Sequence, residues 1–335
     1  MRIVCFGELL IRLSAPGREM LLQSPALRVH MGGAEANVAV SLARFGLDSS
    51  VVSIVPDNAL GRAVTEELRR YGVDTTTIKT HAGRMGLYFL SPGAIQRPSQ
   101  VLYDRADSSF ALAPADLIDW APILSGASRL HLSGITPAIS ANAASAALRA
   151  AKAARQAGAK VSFDGNYRGS LWGARASEAP GILGALLAEA DLAFADHRDI
   201  ALITGKRIEG DEHEQRVHAA ATAFAAFPKL QRIACTARRV HSVDHNDLSG
   251  VMFTRDGVWT TREYALPQIV DRIGGGDAFA AGLLYGLETG APEQDTLDFA
   301  VAAACLKHSI PGDFNLATVA DVRAFLSDTR FDVRR

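Results

Sequence analysis

Short apolar segments alternate with longer segments of helical periodicity along most of the chain. Apolar segments of a few residues predict buried strands at 3–6, 50–55, 129–132, 160–163, 192–195 and 233–236. The intervening segments predict helices over 34–45, 60–71, 141–157, 177–190, 212–227, 277–287 and 294–308. This alternation restricts the chain to an α/β fold in which helices flank a mostly parallel sheet.

Two segments, about residues 9–31 and 84–105, interrupt this order. Both are strand-like, with polar residues among the apolar ones and no helical segment between their strands. They predict a small β-sheet lid. We expect one domain spanning residues 1–335, because no low-complexity linker, charge block or internal repeat divides the chain. A lid sheet with open edges favours pairing with a second copy, so we expect a homo-oligomer.

Charge and cysteine content exclude several classes of protein. The chain has 335 residues and a formal net charge of −1, so no basic field favours nucleic acid or anionic membranes. Its three cysteines are widely spaced and form no C-x-x-C, which is typical of a cytoplasmic protein without a disulfide framework. No uninterrupted apolar stretch is long enough to predict a transmembrane helix.

Other catalytic and metal-binding motifs are absent or weak. The chain has neither the P-loop pattern G-x-x-x-x-G-K-[ST] nor the hydrolase pattern G-x-S-x-G. His241, Asp244, His245 and Asp247 could be grouped as metal ligands. Their surroundings instead predict a solvated turn within a long loop over residues 237–250.

The strongest signal is a run of three glycines, Gly274, Gly275 and Gly276, followed by Asp277 and an apolar helix. Glycine lets the backbone turn sharply and approach a ligand closely. The free N–H groups of the first helical turn then form an anion site. Asp277 could cap this helix or act as a general base beside the bound anion.

A second glycine-rich helix start lies near the N-terminus, where Gly32 and Gly33 precede Asn37. The two signals, in this order and at this separation, resemble the signatures of the ribokinase-like sugar kinases. The resemblance runs the length of the chain, and the two strand-like segments match that family's lid. Within the family the sequence is most similar to kinases of 2-keto-3-deoxygluconate, through residues 33–37, 86–88, 103–105, 131–137 and 166–168.

The resemblance implies a role for each matching residue. Asp277 would take the proton from the sugar hydroxyl, and Gly274, Gly275 and Gly276 would offer N–H groups to the transferred phosphoryl. The implied substrate contacts are Gly33, Tyr88, Tyr103, Arg105, Ile135, Arg168 and Asp313. Thr236 and Arg238, with Gly274 and Gly276, would border the nucleotide, and Asp196 and Asp199 would organise magnesium through water. The implied cofactors are ATP, Mg²⁺ and a monovalent cation such as K⁺.

The sequence departs from the family pattern at several of these positions. Arg272 and Ile273 stand where two threonines are usual, and this affects the surroundings of the monovalent cation. Asp196 replaces the usual asparagine, and the segment after Thr236 lacks the usual tight glycine turn. Structural alternatives also stay open: the tyrosines could pack across the lid, the arginines could form salt bridges, and the aspartates could cap the next helix.

We therefore expect an ATP- and magnesium-dependent kinase that phosphorylates the 6-hydroxyl of 2-keto-3-deoxy-D-gluconate. The positions of Arg105 and Arg168 favour an acid substrate, because a guanidinium binds a carboxylate through two hydrogen bonds. One alternative is a kinase of a neutral ketose or pentose. An alternative of another class is a sugar-acid sensor on the same fold, although a pure binding protein needs no general base.

Overall fold

A computed structural model describes residues 1–327 of the chain, so the last eight residues of the predicted domain lie outside the described part. The strands are β1 (Arg2–Phe6), β2 (Leu10–Ser14), β3 (Arg28–Gly32), β4 (Asp48–Val52), β5 (Ile54–Val55), β6 (Lys79–Thr80), β7 (Gly86–Ser91), β8 (Gln100–Asp104), β9 (Arg129–Ser133), β10 (Lys160–Asp164), β11 (Leu192–Phe194), β12 (Arg232–Ser242), β13 (His245–Thr254), β14 (Val258–Thr260) and β15 (Tyr264–Leu266).

Helices connect most of the parallel strands. They are α1 (Ala34–Arg44), α2 (Ala59–Arg70), α3 (Ser109–Leu112), α4 (Trp120–Leu124), α5 (Ile135–Ile139), α6 (Ala141–Gln156), α7 (Gly169–Trp172), α8 (Ala179–Leu187), α9 (His197–Thr204), α10 (Glu212–Ala226), α11 (Gly275–Thr289), α12 (Glu293–Lys307) and α13 (Val319–Ser327). A 3₁₀ helix, Gly173–Glu178, precedes α8.

The larger sheet has the strand order β14-β13-β12-β11-β10-β9-β1-β4, with β15 also pairing with β13. The six strands from β12 to β4 in this order run parallel, and β13, β14 and β15 continue the sheet with antiparallel pairings. Two apolar clusters cover the sheet, one including residues of α1, α11 and α12 and the other residues of α6, α8 and α10. The predicted α/β class is therefore confirmed.

The second sheet has the order β3-β2-β7-β8 and lies within the two segments that interrupt the α/β order. Its pairings are antiparallel except for β2 with β7. Large apolar side chains, among them Val29, Val101 and Leu102, are exposed on these strands. Assembly of two copies through this sheet stays a prediction.

Two sequence predictions need correction. The helix predicted over residues 177–190 starts at Ala179, because the 3₁₀ turn comes first and Pro180 fits only the first helical turn. The loop predicted over residues 237–250 is instead a long hairpin of β12 and β13, with its turn between Ser242 and His245. The sequence predicts a loop because most of these residues are polar. In the structure alternate residues of β13, among them Asn246 and Leu248, are buried, as in a strand.

The same hairpin brings His241, His245 and Asp247 together, with ligand atoms within 4.8 Å of one another. His241 Nε2 lies 2.5 Å from the Asp247 carboxylate. Asp244 lies apart from them, in an ion pair with Arg18. Among residues 1–327, no helix combines the length and hydropathy needed to cross a lipid bilayer.

Candidate active site

The glycine turn before α11 is shaped by close contacts with the loop that follows α12. Gly274 adopts a left-handed conformation with φ of 82°, and a Cβ there would lie 2.0 Å from the carbonyl oxygen of Asp313. A Cβ at Gly275 would lie 2.8 Å from the His308 ring. No side chain fits at either position without moving backbone or a buried ring, so both glycines are required by packing.

The third glycine faces open space. Gly276 is exposed, and a Cβ there would meet no atom within 4 Å. The N–H groups of Gly276 and Asp277 find no acceptor among the described residues. These two donors lie at the positive end of the fifteen-residue helix α11, where an anion is favoured. Of the three glycine N–H groups that the sequence predicts to face the phosphoryl group, that of Gly275 is instead donated to the Arg272 carbonyl oxygen over 3.3 Å.

Asp277 lies in the first turn of α11, and α1 supplies its partner. Asn37 Nδ2 donates a hydrogen bond to Asp277 Oδ2 over 2.6 Å, while Oδ1 accepts none from residues 1–327. Burial raises the pKa of Asp277 to about 7, and the Asn37 bond opposes that shift. A carboxylate with one fixed and one free oxygen, and a pKa near neutrality, is suited to accept a proton.

Contacts at the start of α1 hold Asn37 in place. Gly33 has φ of 145°, and a Cβ there would lie 2.3 Å from the carbonyl oxygen of Glu8. Glu35 is buried and accepts hydrogen bonds from the Ser133 N–H and hydroxyl and from the Thr136 hydroxyl. The glycine permits this close approach, and Glu35 ties the helix to the end of β9.

A group of carboxylates surrounds Asp277. Asp164, at the end of β10, has its pKa raised well above the usual value by burial and by the charges of Asp277, Asp199 and Glu35. Burial likewise raises the pKa of Asp199 to about 6. The Asp199 carboxylate lies against the backbone of Gly165, next to Asp164. Closely spaced carboxylates are the ligands that Mg²⁺ prefers, so these residues fit the implied cation.

Asp196, the other predicted magnesium residue, is engaged elsewhere. Its carboxylate caps α9 through the N–H groups of Arg198 and Asp199 and pairs with the Arg198 guanidinium. The Asp199 side chain completes the capping box by accepting the Asp196 N–H at 3.0 Å. The structure therefore brings Asp199 together with Asp164, and it uses Asp196 for the helix cap that the sequence left as an alternative.

Asp313 and Tyr88, both predicted to contact substrate, contact each other. The Tyr88 hydroxyl donates to one oxygen of the buried Asp313 carboxylate, and Arg12 donates to the other over 3.0 Å. Arg12 also forms a 2.7 Å ion pair with Asp271. Both oxygens of Asp313 are thus already engaged, and this residue joins the second sheet to the glycine turn.

Arg105 is likewise paired within the protein. Its guanidinium forms a buried ion pair with Glu8, whose second oxygen accepts the Ser108 hydroxyl. The same guanidinium lies 5.6 Å from the centre of the Tyr103 ring, which is partly exposed. The salt-bridge alternative for Arg105 therefore describes its main contact in this structure.

Arg168 and Ile135 lie where two strands of the larger sheet end. Ile135 starts α5 directly after β9, and Arg168 follows β10. Arg168 is exposed and donates a 3.1 Å hydrogen bond to Asn166. Its charge lowers the pKa of both Asp164 and Asp277, so it lies near both carboxylates. Unlike Arg105, it has no acidic ion-pair partner within residues 1–327.

Arginines gather on the other side of the glycine turn. Arg238, on β12 two residues beyond Thr236, has its pKa lowered by burial and by the charges of Arg272 and Arg198. In the described part of the chain neither Arg238 nor Arg272 has an ion-pair partner. Unpaired guanidinium groups beside an open helix N-terminus are suited to bind a polyphosphate.

Several residues of this region had no role assigned from the sequence. Among them are Asn37, Asp164 and Lys307, and Lys307 lies buried behind the turn. Asn37 carries a usable signal, since an amide on the buried face of a helix needs a polar partner. Asp164 ends a parallel strand, where α/β proteins bind ligands. Lys307 ends helix α12, most of which is apolar, and a lysine is rarely fully buried without a specific reason.

Comparison with known proteins finds similarity over most of the chain. A profile of the pfkB family of carbohydrate kinases matches residues 1–315. A 2-dehydro-3-deoxygalactonokinase of Haloferax volcanii is 32% identical over 97% of this chain and 96% of its own. A 2-dehydro-3-deoxygluconokinase of Bacillus subtilis is 28% identical over 98% and 96% of the two chains. The crystal structure of a 2-dehydro-3-deoxygluconokinase from Thermotoga maritima superposes with a TM-score of 0.93, at 38% identity and 98% coverage of both chains.

The raised pKa of Asp277 predicts a cost in stability. Its folded-state pKa of about 7 exceeds the unfolded value, so wild-type stability falls as pH rises from about 4 to 7. We expect Asp277→Asn to raise the free energy of unfolding at pH 8 by up to about 4 kcal/mol, since one pKa unit is about 1.4 kcal/mol. This gain should shrink toward pH 5. Urea unfolding at both pH values measures it.

The matched control is Asp256→Asn, an exposed carboxylate whose loss should change stability little at either pH. An Asp277→Asn variant no more stable than wild type at pH 8 would show that the carboxylate is not strained in the folded protein.

Proposed function

The chain belongs to the pfkB family of carbohydrate kinases, and we propose that it transfers a phosphoryl group from ATP to the 6-hydroxyl of 2-keto-3-deoxy-D-gluconate. The observation that carries this proposal is the Asp277 carboxylate, with one oxygen free, beside two unbonded N–H groups of α11. The names of the relatives support a sugar acid as substrate. Because one of them acts on the galactonate compound, both epimers belong in the substrate panel.

In the proposed reaction Asp277 Oδ1 accepts the proton of the attacking hydroxyl, and Asn37 holds the other oxygen. The N–H groups of Gly276 and Asp277 donate to the oxygens of the transferred group, where negative charge is distributed in the transition state. Such fixed donors need no reorganisation during the reaction. Magnesium, held by Asp164 and Asp199, would neutralise charge on the nucleotide phosphates.

The nucleotide phosphates would extend from the glycine turn toward Arg238 and Arg272, with Thr236 at the border of the site. These arginines have no acidic partner among residues 1–327, so binding a polyphosphate relieves their mutual repulsion. Arg272 stands where the family has threonine, so this chain adds a cation beside the turn.

The substrate carboxylate would bind Arg168, an unpaired guanidinium whose charge acts on both Asp164 and Asp277. Arg105 would approach the same carboxylate from the second sheet while keeping Glu8 as its partner. Gly33, Tyr88, Tyr103 and Ile135 would line the sugar site, with Asp313 holding the Tyr88 hydroxyl. A neutral ketose would leave the Arg168 charge without a partner.

The second sheet, with its connections over about 9–31 and 84–105, would act as a lid. It already touches the tip of the β12–β13 hairpin, through the 2.8 Å ion pair of Arg18 with Asp244. The Val243 N–H also donates to the Ile95 carbonyl oxygen over 3.4 Å. The contact joins the sugar side to a hairpin that carries Arg238, so closure would exclude water from both sides of the reaction.

Replacing the base tests the mechanism. We expect Asp277→Asn to lower kcat about 10²–10⁴-fold, the usual value of general-base assistance, with little change in KM for the sugar acid. Wild-type kcat/KM should rise with pH to a plateau with a midpoint near 7, because only the carboxylate form accepts a proton. Coupled-assay kinetics measure both. A variant within about threefold of the wild-type kcat would contradict this role.

Replacing the unpaired arginine tests the substrate class. We expect Arg168→Ala to lower kcat/KM for 2-keto-3-deoxygluconate about 30-fold or more, because truncating one member of a charge pair costs about 2–5 kcal/mol. For an analogue with hydroxymethyl in place of the carboxylate, the same substitution should lower kcat/KM much less.

Two further variants separate recognition from folding. Arg105→Ala should also lower the thermal midpoint, since it leaves Glu8 buried without its partner. Arg149 is an exposed arginine of α6, and Arg149→Ala should change neither kcat/KM nor the thermal midpoint. Equal losses for acid and neutral substrates in Arg168→Ala would favour the neutral-sugar alternative.

Hydrogen exchange tests the lid. We expect amides of 9–31 and 84–105 to gain protection when saturating 2-keto-3-deoxygluconate is added, because the edge strands β3 and β8 of the second sheet are mostly exposed and would gain contacts on closure. Amides of β10 and β11, in the centre of the larger sheet, are the internal control and should not change. An unchanged pattern in both lid segments at saturation contradicts substrate-driven closure.

A further inference from the structure

Lys307 is a fully buried lysine at the end of α12, with 0% of its surface exposed. Its Nζ donates to the carbonyl oxygen of Ile310 over 2.9 Å and lies 3.5 Å from that of Asp271. It forms no ion pair with a carboxylate of residues 1–327. Burying an ammonium group is costly, so a lysine held by backbone carbonyls in the interior calls for a specific role.

The ammonium lies directly behind the anion site. A Cβ on Gly274 would be 3.2 Å from Lys307 Cε, so the lysine stem packs against the first glycine of the turn. The two carbonyls that it contacts belong to the chain entering that turn and to the loop after α12. One cation therefore joins the two segments that shape the turn.

The nearby negative charges do not neutralise Lys307 directly. The Asp271 carboxylate accepts hydrogen bonds from the Arg12 guanidinium and from the N–H groups of Ile273 and Gly312. The Asp313 carboxylate accepts hydrogen bonds from the Arg12 guanidinium and the Tyr88 hydroxyl. Burial accordingly lowers the pKa of Lys307 to about 8, although the charges of Asp271 and Asp313 favour the ammonium form.

The monovalent cation implied by the family resemblance does not fit here. A monovalent cation such as K⁺ binds carbonyl oxygens, and Lys307 Nζ already occupies the space between those of Asp271 and Ile310. An ion bound beside it would add a second positive charge in a buried site. The two threonines usual before the turn are replaced by Arg272 and Ile273 as well.

We propose that the Lys307 ammonium takes the place of a monovalent cation behind the glycine turn, which makes the protein independent of K⁺. Lys307 acts as a positioning residue, since it holds the carbonyls of Asp271 and Ile310 and thereby the N–H groups of the turn. Its charge adds to the positive end of α11. Only the turnover measurements below depend on the proposed kinase activity; the melting measurements do not.

The first experiment uses thermal unfolding, which does not depend on the substrate. Wild-type protein is melted in KCl and in choline chloride at equal ionic strength, and the two midpoints should agree. Lys307→Ala removes the ammonium and opens space between the carbonyls, so its midpoint should be higher in KCl than in choline chloride. A K⁺-specific rise in the wild type, or none in Lys307→Ala, overturns the proposal.

The second experiment measures turnover in the same two salts. Wild-type kcat should change less than twofold between them. Lys307→Met, which keeps the stem without the charge, should lose about tenfold or more in kcat, equivalent to at least 1.4 kcal/mol. Lys307→Ala should lose kcat similarly in choline chloride, and K⁺ should restore part of that kcat, while KM for the sugar acid stays nearly constant. Strong activation of the wild type by K⁺ contradicts the proposal.

Controls separate this inference from the proposed function. Lys152→Met, an exposed lysine of α6, should behave as wild type in both experiments. Absence of turnover by the wild type on every sugar acid in either salt would contradict the proposed function, whereas the melting comparison would still decide the role of Lys307. If Lys307→Ala does not fold, the wild-type melting and turnover comparisons still decide whether K⁺ has a site.

Discussion

The guanidinium of Arg12 joins the second sheet to the loop on which the glycine turn depends. It lies on β2, yet it pairs with Asp271 and Asp313, residues 259 and 301 positions away in sequence. All three side chains are buried, so the loss of one partner would leave uncompensated charge at a cost of about 3–5 kcal/mol. Asp271 then holds the chain entering the turn, and Asp313 holds Tyr88. The position of the second sheet and the shape of the glycine turn are therefore set by one network.

The elements and the turn could be predicted because their signals are local. Buried strands of four to six residues and a run of three glycines before an apolar helix can be identified without knowing their neighbours. The Asp277–Asn37 contact joins residues 240 positions apart, and the Arg105–Glu8 pair joins residues 97 apart. Such pairs depend on which strands and helices become neighbours, and a single sequence does not contain that information. The hairpin over residues 237–250 was missed for a related reason, since its polar residues resemble a loop until a partner strand buries alternate positions.

Charge is arranged asymmetrically around the start of α11. Carboxylates of Glu35, Asp164, Asp199 and Asp277 lie around the proposed base and magnesium site, and each of these groups has its pKa raised. Guanidinium groups without ion-pair partners in residues 1–327 lie on the proposed nucleotide side. Neither group is at its lowest free energy without ligands, because like charges repel in a partly buried site. Mg²⁺ held by the carboxylates would relieve the first repulsion, and nucleotide phosphates bound by the guanidinium groups would relieve the second.

Such a site has to be stabilised by the rest of the fold. Burial raises the pKa of Asp277 to about 7 and lowers that of Lys307 to about 8. The fold therefore favours the neutral form of each group over its charged form. The two helices that carry them, α11 and α12, pack so closely that a Cβ on Gly282 would lie 2.7 Å from Ala300 Cα. Small residues along this interface allow backbone to approach backbone, and most of the facing side chains are fully buried. Tight packing of this kind cannot relax gradually. It therefore offsets the electrostatic cost of the site and keeps the turn, the Asp277 carboxylate and the buried ammonium in one fixed geometry.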